Sequence, residues 1–361
     1  MDLLEKARGI INEVDTEMAK LFVRRMEAVA MVAEHKKAHG LPVLDAAREE
    51  EVVRRGAARV EDDELRAYYV NFIRNNMEIS RNYQHKLLKG MRVAYSGTEG
   101  AFAHIATGKL FPTAERVAYS DFTLAYRAVE NGECDAAVLP IENSYNGDVG
   151  QVTDLMFSGN LYVNAILDLA VSQDLLVVPG TAKSEIRTVL SHPQALGQCA
   201  EYIRSMHWDP REYGNTALAA KCVAETGDHS IAAIASADAA AVFGLEVMER
   251  NINASRSNTT RFAVFSRSEN LQQNAHMGQH FIMVFTVKNE AGCLARAIDV
   301  IGQHGFNMRN LRSRPMKELL WQYYFYVEAD GNIHTDEGKE MLKELSAFCD
   351  RLKVVGTYST T

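Results

Sequence analysis

Several apolar, strand-like runs in the middle of this 361-residue chain end in a polar loop and then continue into an amphipathic helix. In the clearest case, the run from Ala136 to Ile141 stops at Glu142-Asn143-Ser144, and helical periodicity starts after Asn146-Gly147. A helix N-terminus exposes backbone N–H groups that can hold an anionic group. Taken alone, this stretch favours a simpler interpretation, which is a helix cap followed by a turn.

The same pattern recurs, and the repetition is what constrains the fold. Similar junctions follow Val93-Ala94-Tyr95, Thr188-Val189-Leu190 and the run from Ile231 to Ala235. Pro193 is well placed as the first residue of a helix continuing to Met206, because its fixed backbone angle suits that position. We therefore predict an α/β domain in which several helix N-termini line one crevice.

Length and composition narrow the class of protein. The chain is 47% hydrophobic and 24% charged, which is typical of a globular protein with two or three domains. It has no apolar run long enough to span a bilayer, and its N-terminus lacks a signal-peptide pattern. The five cysteines are scattered and never spaced as C-x-x-C, which indicates a reducing compartment and no zinc site. We expect a cytoplasmic protein.

The net charge of −8 has a local origin. Residues 1–90 carry equal numbers of acidic and basic side chains, so the excess of acid belongs to the rest of the chain. Neither part shows the basic excess that nucleic-acid binding requires. We therefore expect neither a nucleic-acid partner nor a membrane partner.

Residues 1–90 read as three helices. Apolar residues recur at heptad-like spacing from about residue 2 to residue 37, and Gly40-Leu41-Pro42 ends this long helix. Shorter helices are predicted from Ala46, with Asp45 as its cap, and from about Asp63 to Leu88. Three helices give a thin core, so we predict that the long helix packs against a partner chain in a homodimer or a higher homo-oligomer.

Basic residues on the long helix lie near its apolar seam. Arg25 and Lys36 are eleven residues apart, so they lie within about 20° of each other on one face, whereas Arg8 faces elsewhere. Periodicity alone favours side chains that extend from the rim of the bundle into water. The order and spacing of a larger set nevertheless resemble the small all-α chorismate mutase family; the set is Arg8, Asp15, Arg25, Lys36, Asp45-x-x-Arg48-Glu49 and Ser80-x-x-x-Gln84.

The resemblance implies an intertwined dimer and a role for each matching residue. A pericyclic rearrangement needs a compact conformer and hydrogen-bond donors directed at the ether oxygen. Lys36 and Gln84 are the implied donors, and Glu49 would hold the substrate hydroxyl. The other implied substrate-binding residues are Arg25 and Arg48 as carboxylate clamps, Arg8 in the partner's site, and Asp45 and Ser80.

Residues 91–268 resemble prephenate dehydratase in four motifs that occur in order. The resemblance implies two α/β lobes around a cleft, in the manner of periplasmic binding proteins. Thr98, Ala101 and Ala103 depart from the hydroxyl-bearing or proline residues often seen in the first motif, which puts the role of that loop in doubt. The motifs are Gly97 to Phe102, Pro140-Ile141-Glu142-Asn143-Ser144, Ser191 to Leu196, and Thr260-Arg261-Phe262.

The implied chemistry removes CO₂ and hydroxide from prephenate. Thr260 would act first as a positioned hydrogen-bond donor to the leaving hydroxyl, and Arg261 would bind a carboxylate bidentately. Glu142 has two open roles: it could orient Arg261, or serve as an acid if its pKa is raised. His192 is expected to be a cap or a lid residue. The rest of the polar lining would be Asn143, Ser191 and Gln198.

Without the family match, Thr259 to Phe262 reads as an ordinary strand. After a polar linker at 268–278, the order βαββαβ indicates a ferredoxin-like module at 269–361. It resembles an ACT domain, which senses amino acids. An arginine, Arg312, stands where that family usually has a glutamate, so phenylalanine feedback is implied with uncertain strength, and a module kept only for dimerisation stays open. The implied effector residues are Asn289, Gly292, Cys293, Leu294, Ser313 and Arg314.

Taken together, the three modules resemble, in order, the bifunctional chorismate mutase/prephenate dehydratase family, or P-proteins. The resemblance implies that chorismate is converted to prephenate in residues 1–90 and prephenate to phenylpyruvate in residues 91–268. Neither step needs a metal or an organic cofactor. A fused prephenate dehydrogenase would require a glycine-rich nucleotide motif, which does not appear. The alternative from another class is a non-catalytic sensor built from a binding-protein-like cleft and an ACT module.

Overall fold

A computed structural model describes residues 2–254, 258–269, 279–316 and 321–359 of the chain. It divides into two compact units, Met1–Arg92 and Val93–Thr361. Most of the predicted polar linker, residues 270–278, lies outside the described residues.

The first unit consists of three helices, α1 (Leu3–His39), α2 (Ala46–Ala57) and α3 (Asp63–Lys89). The side chain of Asp45 accepts a hydrogen bond from the first turn of α2, as the sequence predicted. Buried apolar side chains are few in this unit, namely Ala33, Val53 and Met77 among the described residues. Along α1, large apolar side chains such as Leu3 and Met31 are 81% and 70% exposed.

The second unit begins with two α/β lobes. One sheet has the strand order β2-β1-β3-β11-β5, with β4 paired to β3, and the other has the order β10-β6-β9-β7-β8. The chain passes to the second lobe after β5 and returns at β11. The strands are β1 (Arg92–Ser96), β2 (Glu115–Tyr119), β3 (Ala136–Asn143), β4 (Gly147–Asp148), β5 (Tyr162–Ala170), β6 (Asp174–Val177), β7 (Thr188–Ser191), β8 (Asp209–Glu212), β9 (Ile231–Ala235), β10 (Glu246–Glu249) and β11 (Thr259–Ser266).

Helices connect these strands, and most of them begin at a capping side chain. His192 is the N-cap residue of the first helix after β7, and its ring accepts from the backbone of Gln194, so its predicted role as a cap is confirmed. Asn215 and Ser236 cap two further helices. The helices are α4 (Phe102–Leu110), α5 (Phe122–Glu130), α6 (Gly150–Ser158), α7 (Pro193–Gln198), α8 (Ala200–Ser205), α9 (Thr216–Thr226) and α10 (Ala237–Phe243).

Two local expectations differ from the structure. β3 runs to Asn143, so Glu142 and Asn143 lie on a strand that pairs with β11 and not in a loop. The helix predicted from Pro193 to Met206 is interrupted at Cys199, which separates α7 from α8. β3 extends to Asn143 because it pairs with β11, which comes from a distant part of the chain.

The rest of the second unit is a four-stranded antiparallel sheet with two helices. Its elements follow the predicted order βαββαβ and the strand order is β13-β14-β12-β15, which is a ferredoxin-like arrangement. A helix was predicted from Thr335 to Arg351, but the helix ends at Ser346 because residues from Cys349 onward pair with β12. The elements are β12 (Gln279–Val287), α11 (Cys293–Gln303), β13 (Met308–Pro315), β14 (Tyr323–Asp330), α12 (Asp336–Ser346) and β15 (Cys349–Ser359).

This third sheet has one face on its own helices and the other on the first lobe. Phe281 and Met283 pack with α11 and α12, whereas Ile282 and Val284 join the core of the first lobe, as alternation along a strand requires. At Gly356 a Cβ atom would collide with the backbone carbonyl oxygen of Val163, so β15 approaches β5 closely. The ferredoxin-like module is therefore packed directly against the strands that carry the predicted dehydratase motifs.

Candidate functional site

A cleft of about 270 Å³ lies between the two lobes. The first lobe contributes the end of β3 and the start of β11, and the second contributes the starts of α7 and α9. Its polar lining includes two residues of the predicted site, Asn143 and Thr260. The lining residues are Ala101, Phe102, Asn143, Asn146, Val171, Gln173, His192, Gln194, Ala195, Asn215, Thr216, Asn258 and Thr260.

Thr260 and Asn143 are cross-strand partners at the floor of this cleft. Asn143 Oδ1 accepts hydrogen bonds from the backbone N–H groups of Tyr145 and Asn146, both at 3.0 Å. This contact fixes the amide orientation, so Asn143 Nδ2 is the donor to Thr260 Oγ1 at 2.9 Å. The hydroxyl proton of Thr260 has no acceptor among the described residues, and it can therefore be donated to a ligand.

Arg261 follows Thr260 on β11 and Glu142 precedes Asn143 on β3, and both side chains face away from the cleft. Their side chains form the next cross-strand pair, with Arg261 Nη1 3.3 Å from Glu142 Oε2. Successive side chains on a strand point to opposite faces of the sheet. The structure therefore differs from the expectation that Arg261 binds a substrate carboxylate: only Thr260 and Asn143 of these four residues line the cleft.

Arg261 instead forms a bidentate ion pair with Glu328 of the ferredoxin-like module. Its two terminal nitrogens lie 2.9 and 2.8 Å from the carboxylate oxygens, and Tyr358 donates to the same carboxylate. Burial by itself would raise the pKa of Glu328, but the hydrogen bonds from Arg261 and Tyr358 hold that pKa below its ordinary value. Burial would lower the pKa of Arg261, and Glu328 raises it. Both groups are therefore charged.

Arg312 and Arg314 of β13 also contact the first lobe. Arg312 donates to Glu142, an acid of the predicted dehydratase motif. Arg314 lies 2.9 Å from Asp154 and 3.2 Å from Asp148.

The sheet register places the predicted effector residues at one end of the third sheet, but on different faces. Arg314 is paired with Tyr324 of β14, and Thr286 near the end of β12 is paired with Tyr324 from the other side. Asn289, Gly292, Cys293 and Leu294 follow β12 at this end. Ser313 is exposed, whereas Arg314 is engaged with Asp154, because adjacent side chains of β13 alternate. The expectation that both side chains contact one ligand is therefore not met within this chain.

We expect Glu328→Gln to destabilise the protein by about 3 kcal/mol, because it leaves the half-buried Arg261 without a charged partner. The pKa of Glu328 is lower in the folded than in the unfolded state, so its contribution is present above the unfolded pKa and is lost as pH falls through the folded pKa. Thermal unfolding at several pH values would show a large difference in Tm at neutral pH that shrinks in acid.

Glu340→Gln is the matched control for this prediction. It makes the same chemical change in a solvent-exposed pair with Lys343, where less than about 1 kcal/mol is expected. If the two variants were destabilised equally, the buried ion pair would contribute no more to stability than the exposed one, and the prediction would be wrong. In the double variant Glu328→Gln/Arg261→Met, part of the lost stability should return, since no unpaired charge remains.

Ser191 and Gln198, also predicted for the substrate site, lie behind the cleft surface. Ser191 is fully buried and its hydroxyl donates to the backbone oxygen of Ile234 at 2.5 Å. Gln198 accepts from two residues that do line the cleft, Gln173 at 3.3 Å and Asn258 at 3.4 Å. Sequence reasoning missed Gln173 and Asn258. The only sequence signals were a polar residue two positions before the apolar run of β6 and one two positions before the Thr-Arg-Phe motif.

A larger groove of about 870 Å³ runs between the first lobe and the ferredoxin-like module. Its charged lining residues already have partners. Asp121 caps α5, Asp154 binds Arg314 and Tyr324, and Arg351 lies over the ring of Phe157. The smaller cleft instead offers a free hydroxyl proton beside several amides. We therefore place the candidate catalytic site of the second unit in the cleft.

In the first unit, one cluster of predicted residues lies along the contact between α1 and α3. Arg25 donates to the backbone oxygen of Asn76 at 3.2 Å and also to Ser80. Gln84 is only 7% exposed; its Nε2 lies 3.4 Å from the oxygen of Ser80. Its Oε1 has no partner among the described residues. Such an under-satisfied buried amide is typical of a site that a ligand completes.

The remaining predicted mutase residues are held less closely. Lys36 donates to the backbone oxygen of Val43 and has no carboxylate partner in the described part of the chain. Glu49 pairs with Arg81, and Arg48 with Glu51. Asp45 serves as the cap of α2, and Arg8 is exposed on α1. The structure thus groups Arg25, Ser80 and Gln84 but does not bring Arg8 to them within one chain.

Two further features, a membrane-spanning helix and a metal-binding cluster, are not found among the described residues. None of the described helices is long and apolar enough to cross a membrane. Within the same residues, His, Cys, Asp and Glu side chains form no group of three or more that could hold a metal ion. None of the five cysteines forms a disulfide bond.

Comparison with protein families gives two matches. The family model of prephenate dehydratase matches residues 93–270, and that of chorismate mutase type II matches residues 7–85. A bifunctional chorismate mutase/prephenate dehydratase of Enterobacter agglomerans is 29% identical over 97% of this chain and 94% of its own length. Arogenate dehydratase/prephenate dehydratase 2 of Arabidopsis thaliana is 32% identical over 74% of this chain and 72% of its own.

Solved structures agree on the fold of the second unit. A prephenate dehydratase from Arthrobacter aurescens, in complex with L-Phe, is 25% identical with a TM-score of 0.68, covering 74% of this chain and 90% of that one. GqqA, described as a novel type of quorum quenching acylase, is 29% identical with a TM-score of 0.69 and covers 75% of this chain and 98% of that one. Similar chains thus carry more than one described activity.

Proposed function

The chain belongs to the bifunctional chorismate mutase/prephenate dehydratase family, and from this premise we propose which residues perform its two reactions. The protein converts chorismate to prephenate and prephenate to phenylpyruvate, two steps of phenylalanine biosynthesis. The observation that carries the assignment of the second site is the Thr260–Asn143 pair, which leaves a hydroxyl proton free at the cleft floor.

The dehydratase step breaks two bonds of prephenate. The electrons of the bond to the ring carboxylate enter the ring as CO₂ departs, and the ring hydroxyl leaves and becomes water on gaining a proton. Thr260 donates a hydrogen bond to this leaving oxygen, and Asn143 holds Thr260 in the required orientation. Arg261 and Glu142 act through the packing of the ferredoxin-like module and not on the substrate.

The mutase step takes place in residues 1–90, within the helical unit. Lys36 and Gln84 donate to the ether oxygen as the C–O bond breaks, and Glu49 holds the hydroxyl. Arg25 and Arg48 bind the two carboxylates, with Asp45 and Ser80 beside them. The under-satisfied amide of Gln84 and the absence of an acidic partner of Lys36 in the described residues support these roles.

Dimerisation completes the mutase site. The exposed apolar side chains along α1, which would be unstable in water as a contiguous face, support an intertwined homodimer. Arg8, exposed and remote from Arg25 on the helix, would then enter the partner's site. A second copy of the chain is thus the proposed protein partner, in a dimer or a higher homo-oligomer.

Residues 269–361 form the regulatory ACT domain, and residues 91–268 the dehydratase domain. The ferredoxin-like topology and the L-Phe complex of the Arthrobacter aurescens relative support feedback by phenylalanine. Asn289, Gly292, Cys293, Leu294 and Ser313 remain the proposed contacts. Arg314 could join them only after its ion pairs with Asp148 and Asp154 open.

The direct test gives the purified protein chorismate, with and without phenylalanine, and follows phenylpyruvate. We expect phenylpyruvate to form, and its rate to fall several-fold as phenylalanine rises. If phenylpyruvate formed at the same rate with and without phenylalanine, the proposed feedback would be wrong and both catalytic activities would stand. Accumulation of prephenate alone would mean that the cleft binds without catalysis, as in a non-catalytic sensor.

A further inference from the structure

Four side-chain amides form a continuous hydrogen-bonded row along the cleft. Asn143 Nδ2 donates to Asn258 Oδ1 at 2.8 Å, and Asn258 Nδ2 donates to Gln198 Oε1 at 3.4 Å. Gln173 Nε2 donates to the same Gln198 oxygen at 3.3 Å. The row therefore joins the Thr260–Asn143 pair of the first lobe to the chain segment that crosses into the second lobe at Gln173.

The hydrogen bonds at the Asn143 end of this row fix which atom of each amide is the oxygen and which is the nitrogen. The backbone N–H groups of Tyr145 and Asn146 can only donate, so Asn143 must present its oxygen to them and its nitrogen to Asn258. Asn258 then has its nitrogen free for Gln198, whose oxygen receives it. That oxygen also receives the nitrogen of Gln173. The remaining atom, Gln173 Oε1, therefore points away from the row.

Gln173 Oε1 is a buried acceptor without a partner among the described residues. The residue is 3% exposed and lines the cleft. A buried carbonyl left without a hydrogen bond lowers stability, so such atoms are rare in folded proteins and call for an explanation such as a ligand that satisfies them. The segment is held in place by its backbone, since Gln173 N–H donates to Asn253 and its carbonyl accepts from Ile252.

We propose that Gln173 is a substrate-contacting residue of the dehydratase site, whose side-chain oxygen accepts the hydrogen bond of the prephenate ring hydroxyl. This inference rests on the proposed function of the cleft. At neutral pH prephenate carries two carboxylates and a ketone, which only accept, and one hydroxyl, which can donate. An unpartnered acceptor on a residue that lines the cleft therefore matches the hydroxyl and no other group of the substrate.

The same contact would favour the reaction as well as binding. The hydroxyl oxygen receives a hydrogen bond from Thr260, and its own hydrogen is held by Gln173. As the oxygen takes up a proton and leaves as water, its O–H bonds become stronger donors. The hydrogen bond to Gln173 then strengthens in the transition state, and the expected loss on removing it falls on kcat more than on KM.

The test is Gln173→Met, which keeps the length of the side chain and removes the acceptor. We expect kcat for prephenate to fall between about tenfold and a hundredfold, while Tm is unchanged or higher, because a buried unsatisfied oxygen has been removed. Phenylpyruvate lacks the hydroxyl, so its inhibition constant as a product should stay the same. Gln151→Met, on an exposed glutamine of α6, is the matched control and should leave kcat and KM unchanged.

The outcomes separate this inference from the proposed function. If the wild-type protein converts prephenate and Gln173→Met does so equally well, the inference is wrong and the function stands. A loss of activity together with a lower Tm and weaker binding of phenylpyruvate would assign Gln173 a structural role only and would also overturn it. If the wild-type protein did not convert prephenate, both the proposed function and this inference would be wrong.

Discussion

Thr260→Val is expected to lower dehydratase turnover about 10³-fold and to leave mutase activity unchanged. Valine keeps the shape and the β-branched character of threonine, so β11 should keep its conformation. What is removed is the hydroxyl proton that Asn143 leaves free for the substrate. Loss of one positioned donor or general acid at a reacting oxygen has an effect of about 10²–10⁴-fold. The measurement is kcat on supplied prephenate beside kcat on chorismate.

Two further variants control this prediction. Thr260→Ser retains a hydroxyl and should recover much of the turnover. Thr259→Val makes the same chemical change one residue earlier on β11, where the side chain does not line the cleft, and should leave kcat within about twofold. If Thr259→Val and Thr260→Val reduced turnover equally, the hydroxyl of Thr260 would have no special role and the cleft assignment would fail.

Lys36→Met is expected to produce the reverse result, with mutase kcat/KM reduced at least about 10³-fold and dehydratase activity on prephenate retained. Lys36 has only a backbone oxygen as partner among the described residues, so its charge is not neutralised by an acid. A cation directed at the ether oxygen stabilises charge that develops as the bond breaks. Removing it raises the barrier of the rearrangement without touching the cleft of the second unit.

Lys37→Met is the matched control for Lys36. It removes the same charge from the next residue of α1, which is exposed, and mutase activity should change by less than about threefold. A variant of Lys36 that lost both activities, or a Lys37 variant as inactive as the Lys36 variant, would contradict separate sites with Lys36 as a transition-state donor.

The helices, the strands and the motifs were largely predictable because they depend on local periodicity. The heptad pattern predicts α1, and Asp45 caps α2 where the sequence indicated. The order βαββαβ of the last module follows from alternating apolar runs. Errors were found where a distant strand decides the outcome, as at residues Cys349 to Arg351, which pair with β12 and do not extend a helix.

The face toward which each motif residue points was decided by the tertiary structure. In the Thr-Arg-Phe motif the sequence marks Thr260 and Arg261 as neighbours, but a strand sends them to opposite faces. Only the sheet register shows that the cleft lies on the side of Thr260 and that Glu328, 67 residues away, lies on the side of Arg261. Likewise, Arg312 donates a hydrogen bond to Glu142, which lies 170 residues earlier in the chain.

The sequence by itself determined the three modules and their order, and its motifs marked Thr260, Asn143, Lys36 and Gln84 as candidates because their order and spacing resemble those of known enzyme families. The tertiary structure decided which polar groups lack a partner. The orientation of Gln173 depends on a row of amides that starts at two backbone N–H groups near Asn143. Such a row is built from segments up to 115 residues apart, and local periodicity carries no information about it.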